Sequence, residues 1–139
     1  MSVVSIGIFT GNTDSYTWNT GGGNTLNCAL IDYSKKKSPH YEVGLWSLFI
    51  HGAGAIVMTP KLQFCVDIVN ETYSPVIITL DGYTNGTSAK VQAFTPANGF
   101  ISNLSAWQDE WLYADGFRIV LDRASDTQIV FTNGVIKAL

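Results

Sequence analysis

LQFCVDIVN, residues 62–70, is the stretch that decides the fold class. Its side chains divide by simple alternation. Leu62, Phe64, Val66 and Ile68 fall on one side, and Gln63, Cys65, Asp67 and Val69 on the other. A period of two belongs to a β-strand, whose successive side chains point to opposite faces. The pattern repeats outward in both directions. VVSIGIFTG places Val4, Ile6 and Ile8 on one face and Val3, Ser5, Gly7 and Phe9 on the other. TLNCALIDY, YEVGLWSLFIHG, PVIITLDGY, AKVQAFTP, FRIVLDRA and TQIVFTNGVIKAL continue it. Between these runs lie GNTD, TGGGNT, KKKSP, GAGA, DGYTNG, ASDT and TNG. They are rich in Gly, Asn, Asp and Ser, the residues that accept turn conformations. Roughly eight or more short strands at this spacing predict an all-β, two-sheet antiparallel sandwich, with residues 1–139 as one domain.

One segment departs from the rule. SAWQDEWLY, residues 105–113, predicts a short helix near residues 104–114. Ser105 with Gln108 three residues later fits a capping box, and Asp115-Gly116 supplies a stop. Leu104, Trp107 and Trp111 share one helical face, while Asp109, Glu110 and Tyr113 lie away from it. Two roles stay open for these aromatics: a plug that closes the core, or a platform that holds a ligand.

Composition excludes several classes. The 139 residues are 46% apolar and 14% charged, which describes a globule able to bury a core. A net charge of −3 offers no electrostatic footprint for nucleic acid. Lys35, Lys36 and Lys37 sit beside Ser34, Ser38 and Pro39, and read as a solvated loop more readily than as a phosphate site. The start, MSVVSIGIFTG, lacks a basic n-region, and Ser5 and Gly7 break its apolar run, so a protein cytoplasmic in the producing cell is expected. No stretch approaches the length of a membrane span. Cys28 and Cys65 fit that compartment as buried thiols, with a disulfide as the alternative. The sequons at Asn70, Asn85 and Asn103 would matter only on a secretory route.

Catalytic constellations are not evident. His40 and His51, the two histidines, lie in no nucleophile motif. His51 opens HGAGA and reads as a hydrogen-bonded surface residue or a ligand contact. NTD at 12–14 and DRASD at 122–126 read as turns, not calcium loops. TGGGNT lacks the Lys-Ser/Thr ending of a phosphate loop. It is a wide turn, or a place where backbone amides approach a ligand closely. Asp109 and Glu110 are adjacent on the expected helix and diverge, unlike the facing carboxyls of a glycosidase. A non-enzymatic protein without metal or cofactor is therefore expected.

Laid end to end, the chain resembles the fungal fruit-body lectins, a family that shares its β-sandwich with the sea-anemone actinoporins. VSIGIFTGN followed by WNTGGGNT is similar to that family's first strand, Trp and Gly-Gly turn. LWSLFIHGAGAIVM is similar to the strand, small-residue turn and strand that carry its Ser-Gly-Thr-Ser signature. FCVDIVNETYSPVIITLDGY is the best match, and LYADGFRIVLDRASDTQIVFTNG resembles the closing hairpin. The resemblance implies an actinoporin-like sandwich and a non-enzymatic lectin. Gal/GalNAc-type sugars would meet Thr20, Gly21, Gly22, His51 and Gly52. GlcNAc would meet Asp67, Ile68, Asn70 and Tyr113. Departures are visible: Gly-Ala-Gly-Ala replaces the hydroxyl-bearing turn, Asn70 stands for a Thr, and the helical region has no Arg.

The actinoporin side of the resemblance implies a rival ligand. WQDEWLY is similar in shape to the aromatic run that cradles the phosphocholine head of sphingomyelin, with Trp107, Trp111 and Tyr113 in the aromatic places. Aromatic faces attract a quaternary ammonium. The amphipathic N-terminal helix that pierces membranes has no counterpart here, so such a protein would bind a membrane surface without lysis. Cell-surface glycans or choline-containing membrane lipids are thus the expected partners, met outside the producing cell. Nucleic acid is not expected, and a homo-oligomer is compatible with either reading.

Overall fold

Eleven strands are present among the described residues of the computed structural model, which are 4–32, 46–53, 56–79, 83–86, 90–94 and 114–138. In chain order they are β1 (Val4–Gly7), β2 (Tyr16–Trp18), β3 (Thr25–Asn27), β4 (Ile31–Asp32), β5 (Trp46–Ala53) and β6 (Ile56–Asp67). Then follow β7 (Thr72–Thr79), β8 (Tyr83–Gly86), β9 (Lys90–Phe94), β10 (Gly116–Arg123) and β11 (Ile129–Ala138). One 3-10 turn, Thr10–Asn12, follows β1. The expected helix near 104–114, with Trp107, Trp111 and Tyr113, lies outside the described residues apart from Ala114, which is buried.

The strands form two sheets, and every pairing is antiparallel. The first has the order β1-β11-β5-β9, with β2 also on β11. The second has the order β3-β10-β6-β7, with β4 also on β10 and β8 also on β6. One apolar cluster joins them. Ile8, Trp18, Leu48, Ile50, Ile129, Phe131 and Ile136 come from the first sheet and its margins, and Met58, Leu62, Phe64, Phe117, Ile119 and Leu121 from the second. Full burial of each such side chain contributes about 1.5–3 kcal/mol, so this shared interior is the main force holding the sheets face to face. The chain is an all-β, two-sheet sandwich, as its alternation predicts.

Strict alternation fails where the ladder is irregular. Leu62 and Phe64 point inward as expected, but Val66 is 48% exposed and Cys65 is fully buried. The β6–β7 register shifts on both sides of Cys65. Each shift breaks the two-residue repeat, so the face assigned to Val66 and Ile68 by counting is not the core face. At the other end of the chain's first run, Ile8 and Phe9 are both buried. The strand ends at Gly7, where a Cβ would collide with the backbone of Asn12 and Thr13, and the chain turns inward over the 3-10 turn. Pro60 sits inside β6 without breaking it. It falls between the part of β6 paired with β8, up to Met58, and the part paired with β7, from Lys61 on. A residue without an N–H is tolerated at such a changeover.

Candidate functional site

Gly21 and Gly22 lie near Arg123 at one end of the second sheet, and Asp67, Ile68 and Asn70 at the other. Arg123 pairs with Met58 near one end of β6, and Asp67 closes the other. Asp67 is nine residue steps along the strand from Met58, about 30 Å at the usual rise. Backbone pairing brings Gly52 and the Gly-rich turn to the same end of the first sheet. Gly52 pairs with Phe131 from one side of β11, and Tyr16, at the start of the strand that enters that turn, pairs with Phe131 from the other. Two strand spacings, about 10 Å, separate them.

The Gly-rich turn, residues 19–24, carries the chain from the first sheet to the second. Gly21 (φ 87°) and Gly23 (φ 78°) are in the left-handed region that favours glycine. Arg123 is buried between this turn and the one joining β10 to β11. Its Nε donates to Asn24 Oδ1 at 3.3 Å, and its Nη1 to the carbonyls of Trp18 (3.3 Å) and Thr127 (2.9 Å). Nη2 donates to the Asn19 carbonyl at 3.0 Å and to Asp126 Oδ1 at 2.8 Å. A guanidinium has five N–H donors, and these bonds use all of them. Asp126 Oδ1 also accepts from the Gly21 N–H at 2.8 Å, and the Gly22 N–H donates to the Asn19 carbonyl at 3.1 Å. The amides expected to face a ligand are thus spent inside the protein. Beneath the turn, the Arg123 guanidinium lies 4.3 Å from the Trp18 ring centre. The buried Trp18 Nε1 has no hydrogen-bond partner among the described residues.

Asp67, Ile68 and Asn70 form the turn from β6 to β7. Asp67 Oδ1 accepts from the Asn70 N–H at 3.2 Å, and Oδ2 from Asn70 Nδ2 at 2.7 Å. These bonds, the Asn70 side chain foremost, hold the Asp67 carboxyl below its ordinary range. Both side chains therefore serve the turn itself. The turn closes with the Glu71 N–H on the Ile68 carbonyl at 3.3 Å, and Glu71 adopts φ 48°. A left-handed conformation is uncommon and costly for a residue with a Cβ. Here it delivers Glu71 to the rim of a cleft.

That cleft has a volume of about 530 Å³ and is lined by Thr10, Gly11, Asn27–Leu30, Glu71, Tyr73 and Arg118. Two of its lining side chains, Arg118 and Tyr73, are held in series with Gln63, which does not line it. Gln63, nearly buried on β6, donates from Nε2 to the Ser74 carbonyl at 2.8 Å and accepts at Oε1 from Arg118 Nε at 3.0 Å. The Arg118 guanidinium carbon then lies 3.7 Å from the centre of the Tyr73 ring. Register explains the assembly: Arg118 pairs directly with Gln63, and Cys65, two residues on, pairs with Tyr73. Burial pushes the Tyr73 phenol up, with Arg118 pulling against it. Burial likewise pushes the Cys28 thiol up to about 12, so it lines the cleft as a neutral group and not as a thiolate nucleophile. Cys28 and Cys65 are both free and buried. No cluster of three or more His, Cys, Asp or Glu able to hold a metal occurs among the described residues.

The resemblance names the turn beside this cleft; it does not name Tyr73 or Arg118. The helical region has no Arg, and the Arg that lines this cleft, Arg118, comes from β10, one residue after the core residue Phe117. A lone charge at an outward position within the apolar run FRIVL is the signal that marks it. Tyr113, Trp107 and Trp111 lie outside the described residues, as does the side chain of His51. Compared with known proteins, the chain matches no family model, no curated protein and no solved structure.

Proposed function

We propose that the protein is a non-enzymatic lectin that binds cell-surface glycans in the cleft at Arg118 and Tyr73. We further infer that its sandwich is of the actinoporin-like type that the fungal fruit-body lectins share. The observation that carries the glycan reading is the mixture of groups lining one small cleft. Arg118 donates only, Glu71 accepts as a carboxylate, and Thr10 and Asn27 do both. Sugar hydroxyls also donate and accept, so such a lining suits them. The volume lies within the range of roughly 300–1,000 Å³ usual for small-molecule sites. Ala29 and Leu30 add apolar wall for the C–H face of a pyranose.

The choline reading finds less support at this cleft. Its aromatic member, Tyr73, already carries a guanidinium over its ring. A quaternary ammonium would need that face and would meet a like charge beside it. The choline cage would have to form at Trp107, Trp111 and Tyr113.

A glycan array and liposomes with and without sphingomyelin, run on one purified sample, test the proposal. Array binding with indifferent liposomes is the expected result. A blank array with sphingomyelin-dependent liposome binding would overturn it in favour of the lipid head group.

A further inference from the structure

The geometry points to an acidic sugar as the preferred occupant of the cleft, with Arg118 as counter-ion to its carboxylate or sulfate. This inference rests on the glycan reading above and narrows it. The structure describes the side chains of three cations, Lys61, Arg118 and Arg123. Lys61 is paired with Asp122, and Arg123 with Asp126. Arg118 is half-buried, yet its partners are neutral: the Gln63 amide oxygen and the Tyr73 ring. No carboxylate lies within ion-pair distance of it among the described residues.

A partly desolvated cation without an anion is left with an uncompensated charge. The guanidinium fork matches a carboxylate or sulfate in two parallel bonds, and such charge-assisted bonds are stronger than those to a hydroxyl. Gln63 and Tyr73 hold the fork in place before any ligand arrives, which lowers the ordering cost of binding. Glu71 limits what else fits. As a carboxylate on the rim it accepts from hydroxyl or amide donors of the same sugar and repels further negative charge. With a chain net charge of −3, the site suits a saccharide that carries a single acidic group and disfavours polyanions.

Calorimetric titration with three soluble probes separates the possibilities: sialyl-lactose, a mono-sulfated lactose and plain lactose. Expected is an affinity for one of the acidic probes about ten-fold or more above that for lactose, falling as salt is raised. Whichever acidic probe leads identifies the source of the anion. Arg118→Gln, which keeps a donor toward Gln63, should bring the acidic-to-neutral ratio close to one. Glu71→Gln should raise that ratio. Equal affinity for lactose and both acidic probes would overturn the acidic preference while leaving the glycan reading standing. Failure of all three probes, with a blank array, would remove both. Binding to phosphatidylcholine or sphingomyelin vesicles alone would transfer the Arg118 anion site to a lipid phosphate and overturn the inference.

Discussion

Arg118 and Tyr73 come from strands that do not pair with each other, yet the Arg118 guanidinium rests 3.7 Å from the Tyr73 ring centre. The strand between them, β6, makes this contact by supplying Gln63 to Arg118 and by shifting register at Cys65, where it meets Tyr73. The irregularity that spoils the alternation of LQFCVDIVN is therefore also what positions the cleft.

Tyr73→Ala should remove the cover of Arg118 and one wall of the cleft together. The cation–π contact is worth about 1 kcal/mol at a partly exposed site. A modest stability loss with a large loss of glycan affinity is expected, by urea denaturation and by titration. Unchanged affinity would exclude Tyr73 from the site.

Arg123→Ala should be far more damaging to the fold than to the cleft. It removes the guanidinium donors to Asn24 Oδ1, to the carbonyls of Trp18, Asn19 and Thr127 and to the Asp126 carboxylate, leaving Asn19 and Asp126 with the Gly22 and Gly21 amides. Asp126 is half exposed, so the cost lies in the buried acceptors that lose a charged donor, at about 1–3 kcal/mol for each left unsatisfied. Thermal denaturation reads it directly, and a loss under about 1 kcal/mol would show that the Gly-rich turn holds without this residue.

Asp67 gives the β6–β7 turn a pH dependence. Its folded pKa lies below the ordinary 3.8, chiefly through the Asn70 side chain and backbone. Its contribution to stability is therefore complete above the unfolded value and is lost as pH falls through the lowered one. Asp67→Ala should cost stability at pH 7 and cost progressively less below about pH 4. A difference between the two proteins that stays constant down to acid pH would contradict this role.

Glu71→Gly should separate stability from binding. Glycine relieves the left-handed backbone at φ 48°, a gain of about 1 kcal/mol. The same change removes the rim carboxylate. The variant should melt higher and bind sugar less well. A variant that melts lower would show that the turn does not strain Glu71.

Much of the sandwich was legible because burial on one face imposes a period of two, and turns impose Gly, Asn and Asp. The buried Leu62, Phe64, Ile119 and Leu121 follow that logic. Cys65, Val66 and Phe9 did not, because bulges and strand exits are decided by neighbouring strands and not by local alternation. Asp67 and Asn70 entered through the family resemblance; their side chains bond to each other within the β6–β7 turn, as Asp and Asn readily do. The cleft beside that turn was not legible. Arg118 lies 55 residues from Gln63, and no local pattern announces a bond across that distance. The Gly-rich turn reads in sequence either as a wide turn or as a place where amides approach a ligand; Asp126, more than a hundred residues away, accepts from the Gly21 amide.

Amide-resolved NMR titration of labelled protein with its best array glycan tests the site most directly. Shifts gathered at Asn27–Leu30, Glu71, Tyr73 and Arg118, with Gly21 and Gly22 unmoved, are the predicted result. Shifts gathered instead at Gly21, Gly22 and Arg123, with the Tyr73 region still, would contradict it.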